Sequence, residues 1–130
     1  MAFNHSVFTE GPDRSLASYS LGDVKLQRGG TLFDAKICYK TFGDPSSEAI
    51  LYPTWFTGFH SDNEWLIGEG RALDPAKYFI IIVCAMGNGQ SSSPSNTSEP
   101  YNGCHFPNVT LYDNVKMQHR LVTEHLKITK

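Results

Sequence analysis

Long apolar runs are missing from this chain, and their absence removes one class of function. No run approaches the roughly 18 apolar residues that span a bilayer, and Met1 to Pro12 lacks the basic segment and apolar core of a signal peptide. The sequence therefore predicts a cytoplasmic protein with no membrane partner. Cysteine is scarce too. Cys38, Cys84 and Cys104 form an odd set without Cys-x-x-Cys spacing, which argues against a disulfide framework and a zinc site and leaves buried or idle thiols. His5 with His60, or His119 with His125, lack metal-ligand spacing; no metal is expected. Basic residues neither dominate nor cluster. With 11 Lys and Arg against 13 Asp and Glu, there is no stripe to neutralise a phosphate backbone, and no nucleic acid partner is expected. Asn4-His5-Ser6, Asn96-Thr97-Ser98 and Asn108-Val109-Thr110 fit the glycosylation pattern, which has no consequence without secretion.

What is present suffices for one modest core: 130 residues, 40% of them hydrophobic. Residues 1 to 16 mix Gly, Pro, Ser and charge without periodicity and read as a loose lead-in, so one domain is expected over residues 17 to 130. The organising stretch is Tyr78-Phe79-Ile80-Ile81-Ile82-Val83. It shows no alternation and predicts a strand covered on both faces in a parallel sheet. Gly87 and Gly89 then permit positive φ, and Ser91 to Pro94 with Asn96 predict a polar loop. Loops at the carboxyl ends of parallel strands are where open α/β sheets bind ligands.

Upstream, Phe33, Ala35, Ile37, Tyr39 and Thr41 alternate with Asp34, Lys36, Cys38 and Lys40, predicting a half-exposed strand with the first set on one face. Tyr19, Leu21, Val24 and Leu26 predict a weaker partner strand, with Gly29-Gly30 as the turn of an antiparallel hairpin. Ala49 to Tyr52, closed by Pro53, predicts a short interior strand. Asp62 to Leu73 predicts a short irregular helix interrupted at Gly68 and Gly70. A last helix is expected from Asp113, as its cap, to Leu126, with Val115, Met117, Leu121, Val122 and Leu126 turned to the sheet. This βαβα succession predicts a mainly parallel sheet with flanking helices.

Four stretches carry a resemblance. They are Leu51-Tyr52-Pro53-Thr54-Trp55-Phe56-Thr57-Gly58, Leu73-Asp74-Pro75-Ala76-Lys77-Tyr78-Phe79, Gly87-Asn88-Gly89-Gln90-Ser91 with Pro94, and Phe106-Pro107-Asn108-Val109-Thr110-Leu111-Tyr112-Asp113-Asn114-Val115. In order and spacing, over about residues 17 to 128, the chain resembles the N-terminal part of the homoserine O-acetyltransferase branch of the α/β-hydrolase superfamily. The resemblance implies an α/β fold, α/β-hydrolase-like, in which the N-terminal antiparallel hairpin leads into the parallel sheet. It implies cofactor-free movement of an acyl group through a serine ester by a Ser, His and Asp triad, with the serine in a Gly-x-Ser-x-Gly turn on a strand after the last helix. No Gly-x-Ser-x-Gly occurs here, and Ser91 to Ser93 lack the strand-to-helix elbow. The sheet is therefore expected to be truncated before the nucleophile strand, and the chain to be inactive alone.

By the same resemblance, the loop Thr54 to Gly58 supplies one backbone N–H to an oxyanion hole. That donor is assigned to Phe56, with Trp55, Thr57, Gly58 and Asn88 as substrate-binding residues. The plainer alternative makes Trp55 and Phe56 ordinary core aromatics on a loop. A dinucleotide-binding turn at Gly87-Asn88-Gly89 is disfavoured, because Ser92 stands where the third glycine belongs and no helix opens there. His60 is expected to be solvated. The branch reads Gly-Gly-Cys where this chain has Gly87-Asn88-Gly89, and histidine where Thr54 stands, so homoserine is not assigned as acceptor. Expected partners are a small-molecule acyl donor and acceptor in the complete enzyme, and another copy of the chain through an exposed sheet edge. The competing reading is a non-catalytic remnant that binds a small acyl ligand or a partner chain.

Overall fold

The computed structural model describes residues 16–129, so the expected lead-in lies outside the described residues except for Leu16. Four strands form one sheet: β1 (Ala17–Lys25), β2 (Thr31–Phe42), β3 (Glu48–Pro53) and β4 (Tyr78–Val83), in the spatial order β1-β2-β4-β3. The apolar run Tyr78 to Val83 does form the strand covered on both faces: Phe79 to Val83 are all buried. Phe79, Ile81 and Val83 face one core with Ala35, Ile37 and Tyr39, while Ile80 and Ile82 are fully buried on the opposite face.

The hairpin is also present. β1 pairs with β2 antiparallel, and Gly29 and Gly30 take φ of 97° and 81° in the turn. β2 pairs antiparallel with β4, and the parallel pair among the described strands is β3 with β4. The sheet is thus mixed over this stretch, because β2 comes from the hairpin. β3, expected in the interior, pairs with β4 alone among the described strands and stands at the edge of the described sheet.

One face assignment fails. Phe33 is 45% exposed, whereas its neighbour Leu32 is 1% exposed. Asp34 takes φ 46° and the register with β1 slips around Gly22, so the two-residue alternation restarts at Ala35. Such a bulge turns the residues before it to the other face. The Asp34 N–H freed by the slip donates to Asp23 Oδ1 at 3.0 Å.

Between β3 and β4, the expected irregular helix is a 3-10 segment, His60–Leu66, ahead of the glycines. Asp74 then organises the entry to β4 by accepting the Gly70 and Ala76 N–H groups at 3.0 and 2.9 Å. These backbone hydrogen bonds hold its carboxyl below the usual carboxylate range. Gly43 lies against this turn; a Cβ there would stand 2.2 Å from the Tyr78 carbonyl oxygen, and its φ of 86° also demands glycine.

Helix α1 (Leu111–Arg120) runs into a π-helical turn, Leu121–His125. Its cap is Thr110 rather than Asp113. The Thr110 hydroxyl accepts the Asp113 N–H, and the Asp113 carboxylate accepts the Thr110 N–H, a reciprocal box. Asp113 Oδ1 also accepts the Gln27 N–H at 2.9 Å, and Asn114 Oδ1 accepts the Met86 N–H at 2.8 Å. The helix start is thereby pinned to the hairpin turn and to the end of β4. Met117 and Leu121 are fully buried against the sheet, with Val122 and Leu126 packed beside them, but Val115 is 63% exposed. These anchors rotate Val115 away from the core. Among the described residues no helix is long and apolar enough to cross a membrane.

Candidate functional site

The loops that follow β3 and β4 meet at the carboxyl ends of those parallel strands. Thr54 joins them: its N–H donates to Val83 O at 2.9 Å and its hydroxyl accepts the Ala85 N–H at 3.0 Å. Trp55 to Gly58 then make a reverse turn closed by Gly58 N–H to Trp55 O at 3.1 Å. The Trp55 indole N–H donates to Thr57 Oγ1 at 3.0 Å. Gly58 is required beneath the ring, since a Cβ there would lie 2.6 Å from the indole carbons.

Phe56 occupies the first central position of this turn. Its ring is 83% exposed, and its N–H meets no acceptor among the described residues. In a turn closed by the bond between its first and last residues, the N–H of the first central residue is left for other acceptors. The side chains of Trp55 and Phe56 are accordingly not packed in the described core; Trp55 is 49% exposed. Trp55, Phe56, Thr57 and Gly58 thus lie together in one turn, and Asn88 joins them from the other loop. The Asn88 Nδ2–H donates to Gly58 O at 3.1 Å, while Asn88 Oδ1 accepts the Gln90 N–H at 2.9 Å.

The second loop follows the expected backbone, with Gly87 and Gly89 at φ 88° and 97°. Its serines are not a solvated tract. Ser91 Oγ accepts the Cys38 N–H at 2.9 Å and donates to Cys84 O at 2.8 Å, so one hydroxyl stands inside the β2–β4 ladder where the strands separate. Ser92 exchanges two bonds with Lys36, each backbone or hydroxyl partner within 2.9 Å. Ser93 Oγ donates to Ser91 O and accepts the Gly89 N–H, both at 2.7 Å. Every one of these hydroxyls is committed to the backbone.

His60, expected in solvent, is 2% exposed. Its N–H donates to Gln90 Oε1 at 3.1 Å, and its Nδ1 lies 2.8 Å from Gln90 Nε2. Glu64 Oε1, 3.9 Å from His60 Nε2, is held by Lys40 Nζ at 2.6 Å. Sequence reasoning missed this cluster, since Lys40, His60, Glu64 and Gln90 come from three segments with no fixed spacing. The signal that existed was the pairing of a histidine directly after one loop with an amide at the matching place in the other. Cys84 and Cys38 close the floor, donating to Gln90 Oε1 and Gln90 O at 3.2 and 3.0 Å. Burial pushes the Cys84 thiol up to about 12. Among the described residues no three His, Cys, Asp or Glu side chains converge as a ligand set.

The chain is 40% identical over 128 residues to ethyl acetate hydrolase of Pseudomonas veronii, a match covering 95% of this chain and 37% of the relative. It is 38% identical over 142 residues to homoserine O-acetyltransferase of Pasteurella multocida, covering 95% of this chain and 36% of that protein. Its backbone superposes on an acetylester hydrolase from Corynebacterium glutamicum with a TM-score of 0.83 at 40% identity, over 88% of this chain and 34% of the other. The chain belongs to the α/β-hydrolase superfamily. Within it, the relatives are esterases and homoserine O-acetyltransferases, and the chain spans little more than a third of their length. No protein-family model matches. For an α/β-hydrolase sheet, the meeting point of the two loops is the expected place for a ligand.

Proposed function

We propose that this chain supplies the oxyanion loop, and no member of the Ser, Asp and His triad, to a cofactor-free enzyme that cleaves or transfers a small acyl ester through a serine intermediate. The observation that carries the reading is the Phe56 N–H. Among the described residues it is a backbone donor without an acceptor, at the carboxyl end of β3, in a turn fixed by Thr54, Gly58 and Asn88. An oxyanion needs donors already aimed at the developing charge, and a braced backbone N–H meets that need without reorganisation. The acyl group we propose is acetyl, which is common to the named activities of the three relatives. Water or an alcohol other than homoserine is the proposed acceptor, because Thr54 and Asn88 replace the branch's usual residues and both are occupied in holding the loops together.

The test uses a complete protein in which the chain is joined to the remaining part of an esterase relative. Phe56→Pro removes the N–H while fitting the first central position of a turn, where proline is favoured. Loss of one oxyanion donor costs about 10² to 10³ in turnover, or roughly 3 to 4 kcal/mol. Phe56→Leu keeps the N–H and should stay within about tenfold, and KM should change little in either variant. Equal losses in both, tracking a lowered Tm, would show that only the ring matters. Alone, the chain should hydrolyse an activated ester no faster than a denatured control; a burst with a stable acyl adduct on serine contradicts this.

A second reading, a non-catalytic chain that binds a partner strand, draws on β3. It pairs on one side only among the described strands and leaves Leu51 37% exposed. An open edge of this kind is a template for pairing. Concentration-dependent dimers in sedimentation, abolished by Leu51→Lys, support that reading; a monomer at all concentrations removes it.

A further inference from the structure

We infer that His60 and Gln90, together with Asn88, are positioning residues that fix the direction of the Trp55–Gly58 turn. The value of that direction rests on the oxyanion role proposed for the turn; the bracing itself does not. Three hydrogen bonds run from the loop after β4 to the two ends of the short segment that leaves the turn. Asn88 Nδ2–H donates to Gly58 O at 3.1 Å, the His60 N–H donates to Gln90 Oε1 at 3.1 Å, and Gln90 Nε2–H meets His60 Nδ1 at 2.8 Å. The first two hold backbone groups, the Gly58 carbonyl and the His60 N–H, so the chain that leaves the turn is fixed on both sides of Phe59.

The orientation of the Gln90 amide follows from its partners. Its oxygen takes the His60 N–H and the Cys84 thiol proton, so its nitrogen faces the ring and donates. His60 Nδ1 must then accept, which places the ring proton on Nε2, facing Glu64 Oε1 at 3.9 Å. Lys40, reaching from β2, holds Glu64 at 2.6 Å. The ring is 2% exposed, and in such a dry setting a satisfied polar network is rigid whereas a half-satisfied one is costly. The result is a bonded link between Gln90 and His60 behind the turn, with the Lys40–Glu64 pair set beside the ring. Neither Phe56 nor Trp55 contributes to it, so the donor residue is held by neighbours rather than by its own side chain.

The experiment follows two signals of the ¹⁵N-labelled chain by NMR: the Trp55 indole N–H, bonded to Thr57 Oγ1, and the Gly58 N–H, bonded to Trp55 O. Gln90→Leu, similar in volume, removes both bonds to His60. It should raise the Gly58 exchange rate by about tenfold or more and move the Trp55 indole signal, while the β4 amides keep their protection. Gln90→Glu should restore both signals, since a carboxylate accepts the His60 N–H and, after a tautomer change, the ring N–H as well. Unchanged Trp55 and Gly58 signals in Gln90→Leu overturn the inference, as does failure of Gln90→Glu to restore them in a chain whose β4 amides are intact. Should Gln90→Leu not fold, half-buried Asn88→Asp decides. It sets an oxygen against Gly58 O and should move the same two signals; no movement overturns the inference. A turn that loosens in Gln90→Leu, in a protein whose Phe56→Pro variant keeps full turnover, upholds the bracing and removes only the oxyanion role.

Discussion

The loop after β3 carries Trp55 and Phe56, which are 49% and 83% exposed, whereas the loop after β4 carries Ser91 and Ser93, which are 0% and 1% exposed. Hydropathy ranks these residues the other way round. What decides burial here is the demand of the neighbouring backbone. Where β2 and β4 part at Cys38 and Cys84, one N–H and one carbonyl lose their ladder partners, and the Ser91 hydroxyl satisfies both. A buried backbone group without a partner costs more than a hydroxyl does to bury with two partners. The turn after β3 has no such demand to meet. Its own closing bond runs inside the turn, and its aromatic rings are left outward on a braced backbone.

Removing the hydroxyl should therefore have the largest effect. Ser91→Val strands the Cys38 N–H and the Cys84 carbonyl, at about 1–3 kcal/mol each, so urea unfolding should show a loss of several kcal/mol. Exposed Ser95→Ala should change stability by no more than about 0.5 kcal/mol. If Ser91→Val matches Ser95→Ala, the hydroxyl is not the splint described.

The same floor should respond to pH. Burial raises the Cys84 thiol from an ordinary value near 9.0 to about 12. A raised acid means that the folded state keeps its proton after the unfolded chain has lost it, so stability is complete below pH 9 and falls as pH rises from there toward 12. Attributed to this thiol, the slope is about 1.4 kcal/mol per pH unit, read as the difference between the native chain and Cys84→Ala. Parallel stability curves for the two above pH 9 would count against a dry floor.

On the other loop the expected effects are smaller. Gly58→Ala places a Cβ 2.6 Å from the Trp55 ring and should displace the indole at about 1–2 kcal/mol, seen as a red shift in tryptophan emission. An unshifted emission maximum would mean that the ring does not rest on Gly58. Smallest of all, Phe56→Ser should leave stability within about 0.5 kcal/mol, because the ring is 83% exposed. A larger loss by calorimetry would erase the contrast between the loops.

The parts legible in the sequence were those set by local pattern. Tyr78 to Val83 announces a strand buried on both faces because every residue in it tolerates burial, and Gly29-Gly30 announces its turn because both residues need positive φ. Of the four motifs that carried the family resemblance, Leu51 to Gly58 and Gly87 to Pro94 form the two loops, whereas Leu73 to Phe79 leads into β4 and Phe106 to Val115 into the helix. What stayed hidden depends on partners distant in the chain. The bulge at Asp34 follows from its fit to β1, and moves Phe33 outward although the alternation through Tyr39 is otherwise regular. Asp113 reads as a cap by residue type, yet the helix begins at Leu111 with Thr110 as its cap, and Asp113 stands at the third helical position, where it also accepts the Gln27 N–H. Burial of Ser91 and His60 depends on Cys38 and Gln90, at separations no spacing rule covers.

An oxyanion role for the Phe56 N–H would be visible in a crystal structure of the completed protein carrying a phosphonate on its nucleophilic serine, a mimic of the tetrahedral intermediate. One phosphonyl oxygen should lie about 2.7–3.1 Å from Phe56 N, with the Trp55–Gly58 turn unmoved and Asn88 still bonded to Gly58 O. A phosphonyl oxygen held by other donors, with the Phe56 N–H turned to solvent, would contradict it.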